Sequence, residues 1–283
     1  MMTTLILVLA GSFLFSATTV TAQEEPTIDV EKLAENVYLY THNSHRSLFV
    51  VSGEQILVTD PQSPEAAKRY LAEVRKISQA PIRYMVYSHH HGDHVSGGAA
   101  FGDGPIVIGH ANVPGYLSGD SAAEIVPLDI TFSDQMSIQL DDLEVRLIYP
   151  GPSETDSSVI VFVPERKVAF MVDAVASRRL PFRTLGDSNL SDWVAALEEL
   201  DTLDFEILAP GHGPTGTKAN VREYIQYFTD LTEAVRKGIE QGQSLEEIQE
   251  SLELLAYTDW LRYDGHFKLN IEGVYGRLMA ESD

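Results

Sequence analysis

The chain has no cysteine. Disulfides, a thiolate nucleophile and a cysteine metal ligand are therefore excluded, and any bound metal must rest on imidazole and carboxylate. Basic residues are scarce as well: 20 Lys and Arg stand against 42 Asp and Glu, a formal charge of −22. A field of that sign repels nucleic acid and anionic membrane surfaces, so polyanionic partners are not expected. Stretches apolar enough to span a bilayer are also absent, apart from residues 5–15 within an uncharged N-terminal stretch of 23 residues. Val20-Thr21-Ala22 has the small-x-Ala form of a signal-peptidase site. Residues 1–22 are thus expected to be a secretory leader and the mature protein periplasmic or secreted. The start Met1-Met2-Thr3-Thr4 lacks the usual Lys or Arg, which keeps open a leader retained as a membrane anchor.

With 283 residues, 44% of them apolar, the chain can bury a proper core. Strands are expected over 37–40, 48–51 and 55–59, and Ser63 before Pro64 marks the start of a helix running to about 78. Strands over 82–87 and 105–108 follow, then a short helix near 112–117, two or three strands within 130–149, and a hairpin of 159–163 with 168–172. A helix over 191–203 puts Trp193, Ala196, Leu197 and Leu200 on one stripe and leads into a strand over 205–209. After Gly216 the strand signals stop. Helices are expected over 219–241, after the capping box Ser244-x-x-Glu247, and over 270–279. The reading is an α/β domain over 23–216 with a helical extension, 217–283, packed on the same domain.

Residues 88–94 read SHHHGDH where the strand over 82–87 stops. His89 and His91 are two apart and can face the same way, while Asp93 and His94 follow one turn later and can face an adjacent position. Neutral imidazoles with a carboxylate are a ligand set for zinc or a similar divalent ion, and this spacing suits two metals side by side.

His89-x-His91-x-Asp93-His94 after a buried strand resembles the signature of the metallo-β-lactamase superfamily. Asp173, in FMVDAV, matches the carboxylate that bridges two metals in many hydrolases of that superfamily, and His212, in APGHG, matches its final histidine ligand. The resemblance covers roughly residues 30–216. It implies a four-layer αβ/βα sandwich with the site along one edge of the two sheets, and residues 217–283 look like the helical extension of some members. It also implies two divalent cations, zinc foremost with manganese or iron as alternatives, held by His89, His91, Asp93, His94, Asp173 and His212. Asp rather than Cys at 173 is similar to the glyoxalase-, lactonase- and phosphodiesterase-type branches.

One landmark departs. Members usually have histidine in a segment like G-P-x-H-T, whereas this chain has Glu154 in Gly151-Pro152-Ser153-Glu154-Thr155. A carboxylate is a legitimate ligand, so the first site would be His89, His91 and Glu154. Three anions against two dications give a weaker Lewis acid there and favour a harder metal. If Glu154 points away, the site is half-built.

The implied activity is metal-assisted hydrolysis of an ester, lactone, lactam or thioester type of bond in a small molecule, through a hydroxide held between the metals. Asp93 would be the catalytic carboxylate that orients it and moves its proton. A catalytically silent metal-binding protein and an iron redox protein are the alternatives. Arg178 and Arg183, in the most basic stretch, 177–183, are the candidates to hold a substrate carboxylate. His42, His45 and His110 read as structural, and His90 as a hydrogen-bonding neighbour of the ligands. Trp260, Tyr263, His266 and Phe267 read as packing between extension and sandwich, with His266 a further candidate for the missing imidazole. Oligomeric state has no signature in the sequence.

Overall fold

Each of two sheets presents an apolar face to the other. The computed structural model describes residues 25–117, 125–186 and 188–281, and the expected leader, 1–22, lies outside them. The first sheet contains β1 (Ile28–Ala34), β2 (Val37–His42), β3 (His45–Ser52) and β4 (Gln55–Thr59). The chain continues through α1 (Pro64–Ile77), β5 (Ile82–Val86), the single turn α2 (Gly92–Val95), β6 (Ile106–His110), the short α3 (Val113–Tyr116) and β7 (Ile130–Phe132). Its seven strands lie in sequence order, antiparallel from β1 to β4 and parallel from β4 to β7.

The second sheet contains β8 (Gln135–Leu140), β9 (Leu143–Ile148), β10 (Ile160–Val163), β11 (Val168–Met171) and, after α4 (Leu190–Thr202), β12 (Ile207–Pro210). Its order is β12-β11-β10-β9-β8, and β12 lies parallel to β11 because the α4 crossover returns the chain to the same end. Then come α5 (Lys218–Glu240), α6 (Leu245–Ser251) and α7 (Tyr263–Ala280). Both hydrogen bonds of the Ser244/Glu247 capping box are formed. No helix among the described residues is long and apolar enough to cross a membrane.

Strand alternation sorts the core into three slabs. Leu39, Val50 and Leu57 of the first sheet meet Leu147, Val161 and Phe170 of the second between the sheets. Phe49 and Val58, on the opposite face of the first sheet, pack on Tyr70 and Val74 of α1. Phe162 and Met171, on the outer face of the second, pack on Trp193 and Leu197 of α4, Phe228 of α5 and Val274 of α7. This is the four-layer αβ/βα sandwich, and α5 and α7 share one core with the second sheet. Each large apolar side chain so buried contributes roughly 1.5–3 kcal/mol.

Two elements differ from expectation. β1 is a half-buried edge strand whose charged residues mask the alternation, and it pairs with β2 over 28–42. The helix α7 starts at Tyr263 rather than 270, because its first turn contains Gly265 and follows Arg262, which has φ +70° and caps without a side-chain bond.

Parallel pairing puts the C-terminal ends of β4 and β5 on one edge, and the same holds for β11 and β12. Four segments of chemical interest begin there: Asp60 after β4, SHHHGDH after β5, Asp173 after β11 and His212 after β12.

Candidate metal centre

The strand ends converge on one partly buried carboxylate. Asp173 has φ +55°, and the N–H of Ala174 bonds back to the carbonyl of Val172 across it, forming a tight γ-turn that turns the side chain into the edge. Such backbone is uncommon for a non-glycine residue and concentrates at functional sites. The two oxygens of Asp173 face different partners. Oδ1 lies 2.9 Å from His212 Nε2 and 4.0 Å from His94 Nε2, while Oδ2 lies 3.2 Å from His91 Nδ1 and 3.3 Å from His89 Nε2.

Two sets of donors therefore form. In one, His89, His91, Glu154 and Asp173 each offer an atom within 4.8 Å of the others; in the second, His45, Asp93, His94 and His212 do the same. Glu154 points inward, with Oε1 3.6 Å from His91 Nε2. His45 comes from the start of β3 and sets its Nε2 3.0 Å from Asp93 Oδ2. The sequence assigned His45 a structural role; its place in this cluster corrects that. Asp60 was also missed. Fully buried after β4, it accepts a hydrogen bond from Ser88 N at 2.7 Å through Oδ1 and sets Oδ2 3.4 Å from His94 Nδ1. His212 Nδ1 donates to Ser44 O at 2.7 Å, which aims Nε2 at Asp173.

The electrostatics follow from burial against proximity. Burial opposes ionisation of Asp173, but the imidazoles of His212, His89 and His91 hold its pKa well below the usual carboxylate range. Burial and then Asp173 push Glu154 up to about 7, with His91 opposing. Burial opposes protonation of His94, yet Asp60, Asp173 and Asp93 raise its pKa to about 9. Asp93 is held low, chiefly by its bond to His45. Imidazoles and carboxylates crowded like this compete for protons that a cation can replace. The donor set fits a metal on a second ground: His89 Nε2 and both ring nitrogens of His94 are buried without a hydrogen-bond partner. An unpaired buried polar atom costs about 1–3 kcal/mol, which coordination would remove.

The remaining residues sort cleanly. His90 turns away, with Nδ1 2.7 Å from Ser157 Oγ and its ring stacked on Tyr116. His110 stacks on Tyr149 and donates from Nε2 to Ser133 O. His266 is not the missing imidazole: its Nδ1 donates to Pro181 O at 3.0 Å, and it lies outside both donor sets. Trp260 and Phe267 are buried in the core between extension and sandwich, and Tyr263 stacks on Phe267.

A cavity of about 400 Å³ opens over the donors, and His45, His91, Asp93, Glu154, Asp173 and His212 line it. Its other wall contains Val175, Ala176, Leu180, Pro181, Phe182 and Tyr224, together with Arg179 and Arg262. Neither Arg178 nor Arg183 reaches it. Leu180 N and Leu261 N bond to Leu261 O and Arg178 O, a short bridge that directs Arg178 outward to pair with Asp259 and Arg179 inward. Arg183 lies over the Phe182 ring, 4.9 Å from its centroid. A cavity of about 520 Å³ between α4, α5 and α7 is lined by Glu198, Glu233 and Glu281 but by no histidine, and these acids belong to neither donor set.

A model of the metallo-beta-lactamase superfamily matches residues 40–212. The chain belongs to that superfamily. A linear primary-alkylsulfatase from Pseudomonas sp. (strain ATCC 19151) is 25% identical to this superfamily member over 279 residues, covering 78% of this chain and 53% of that protein. Among solved structures, a stereoselective inverting sec-alkylsulfatase from Pseudomonas sp. superposes with a TM-score of 0.71 at 16% identity, covering 88% of this chain and 50% of that one. A metallo-beta-lactamase from Pontibacter korlensis gives 0.62 at 20% identity, covering 72% of this chain and 99% of that one. The chain thus spans about half the length of the alkylsulfatases it matches. At these identities the solved structures bear on the fold alone.

Proposed function

We propose that the protein is a dinuclear metallo-hydrolase that cleaves an ester-type bond in a small molecule bearing an acidic group. One observation carries this reading: Asp173 stands between two donor sets with one oxygen toward each, 2.9 Å from His212 and 3.2 Å from His91. His89, His91 and Glu154 would hold one cation, and Asp93, His94 and His212 the other, with Asp173 shared. Bound divalent cations supply Lewis acidity and activate water near neutral pH.

The side chains supply the rest. Asp93 lines the cavity and stays ionised beside His45, so its free oxygen can orient an incoming water and take up its proton. Arg179 and Arg262 have no ion-pair or hydrogen-bond partner for their guanidinium groups among the described residues, in a chain with a large excess of acid. They are placed to bind an anionic group of the substrate, while Val175, Leu180 and Phe182 offer it an apolar wall. The alkylsulfatase relative supports anionic esters as the first class to assay.

Tag-free protein should hold close to two cations per chain. A panel of alkyl sulfates, carboxylic esters, lactones, β-lactams, thioesters and phosphodiesters, assayed with zinc, manganese and iron, should show turnover in an ester-type class. Fewer than one tightly bound cation, or no turnover across the panel, overturns the reading.

A further inference from the structure

The family signature accounts for Asp93, His94 and His212 at the second donor set, but not for the imidazole that stands beside them. We propose that His45 is a fourth protein ligand of the cation held by Asp93, His94 and His212, so that this site is closed and the open coordination position belongs to the cation at His89, His91 and Glu154. The proposal rests on the metal-centre reading above and adds a division of labour between the two cations.

The geometry is specific. Metal–donor bonds of about 2.0–2.1 Å in a tetrahedron place donors roughly 3.3 Å apart. His45 Nε2 to Asp93 Oδ2 is 3.0 Å and Asp93 Oδ2 to His94 Nε2 is 3.9 Å, values that bracket that spacing. The His45 ring centroid lies 4.9 Å from that of His212 and 5.6 Å from that of His94, and one nitrogen of each of the three imidazoles lies within 4.8 Å of an Asp93 oxygen.

His45 is also held there by its neighbours. Ser44 O accepts from His212 Nδ1 at 2.7 Å, Arg46 N donates to Gly211 O at 3.0 Å, and Arg46 Nη1 donates to Gly213 O at 2.8 Å. The tip of the β2–β3 hairpin is thereby clamped to the loop that presents His212, and the residue between the clamps points at the donors. Ligands positioned through such outer contacts are ordered before the metal arrives.

The chemical consequence follows from ligand number. Four protein donors, with Asp173 Oδ1 as a fifth 2.9 Å from His212, fill a zinc coordination sphere, and filled sites are characteristic of structural zinc. Counted the same way, without the shared Asp173, the set around Glu154 has three protein donors, two imidazoles and one carboxylate, the number that leaves a position for water or substrate.

The test is metal titration of the tag-free, chelator-stripped full chain with cobalt and zinc, read by chelator competition and by the cobalt d–d spectrum. Wild-type protein should take up two cations. His45→Ala should weaken one of them at least tenfold, leave the other within twofold, and lower the d–d intensity as water replaces an imidazole. His45→Gln separates the alternatives, since its amide can still donate to Asp93 but is a poor ligand. If His45 merely hydrogen-bonds Asp93, Gln should restore wild-type affinity, and that result overturns the proposal. Two cations held by wild-type protein with neither affinity changed in His45→Ala overturn it alone; a wild-type chain that binds no second cation overturns it together with the metal-centre reading.

Discussion

Asp60 shows how a residue without a motif can matter to one. It does not line the cavity over the donors, yet its buried carboxylate faces His94 Nδ1 at 3.4 Å and ties the start of the histidine loop through Ser88 N. Replacing a carboxylate behind a ligating histidine commonly costs 10- to 100-fold in metal affinity. Asp60→Asn should lose that much for the cation at His94, while its amide oxygen keeps the Ser88 bond and the fold; competition titration measures the loss. Glu154→His is the converse case. Exchanging a partly buried carboxylate, pushed up to about 7, for an imidazole removes one anion from a set of three and should tighten zinc about tenfold, about 1.4 kcal/mol, with manganese favoured less. Arg179 and its neighbour give a matched pair. A hydrogen bond to a charged group contributes about 1.5–3 kcal/mol when protected, and Arg179 is only half-buried. Arg179→Gln should therefore raise KM about tenfold for an acidic substrate with kcat little changed. Arg178→Gln, whose guanidinium pairs with Asp259 on the surface, should leave KM within twofold.

Elements decide which of these residues meet, and they were unevenly legible. The bounds of β4 and the Ser63–Pro64 start of α1 follow from alternation and capping, and both stand as read. Four of the strand ends that build the site could be placed from sequence, because each apolar run stops at a polar residue or, after residue 209, at Pro210-Gly211. His45 and Asp60 could not be paired with the signature, since a hairpin tip and a strand end come together only through sheet order. The inward choice of Arg179 over Arg178 was equally hidden, being set by a bridge to Leu261 about eighty residues away. That bridge belongs to a contact that α7 sustains. At Gly273, in the middle of α7, an added Cβ would stand 2.2 Å from Thr184 O, so helix and loop would have to part. Ala gains about 1 kcal/mol over Gly in helix propensity, while overpacking of this kind costs about 1–3 kcal/mol. The clash with rigid backbone should win. Gly273→Ala should be less stable by up to about 2 kcal/mol, a Tm lower by as much as roughly 8 °C, measured by calorimetry with metal present.

Over the whole molecule, the metal centre sits where two sheets end and so joins both halves of the sandwich: β4 and β5 supply one side, β11 and β12 the other. The chain carries a net charge of −22, and Asp93, Glu154 and Asp173 concentrate three acids at that junction. Cations bound there stabilise the folded state alone, because the donors come together only on folding. At a free concentration 1,000 times Kd, one site contributes about 4 kcal/mol. For a domain of this size, each kcal/mol moves Tm by about 2–4 °C. Stripping the protein with a chelator should therefore lower Tm by about 10 °C for each tightly held cation, and stoichiometric zinc should restore it. A general relief of acidic self-repulsion would look similar at first, but sodium chloride distinguishes the two. Half-molar salt screens surface charges beyond a few ångströms and would recover most of the loss if repulsion were the cause. It should recover little here, since His89 and His94 are fully buried and need a coordinating ion rather than a screened field. A Tm that falls by less than about 2 °C on stripping, or that salt alone restores, would mean that the strand ends are held together by packing and not by a metal.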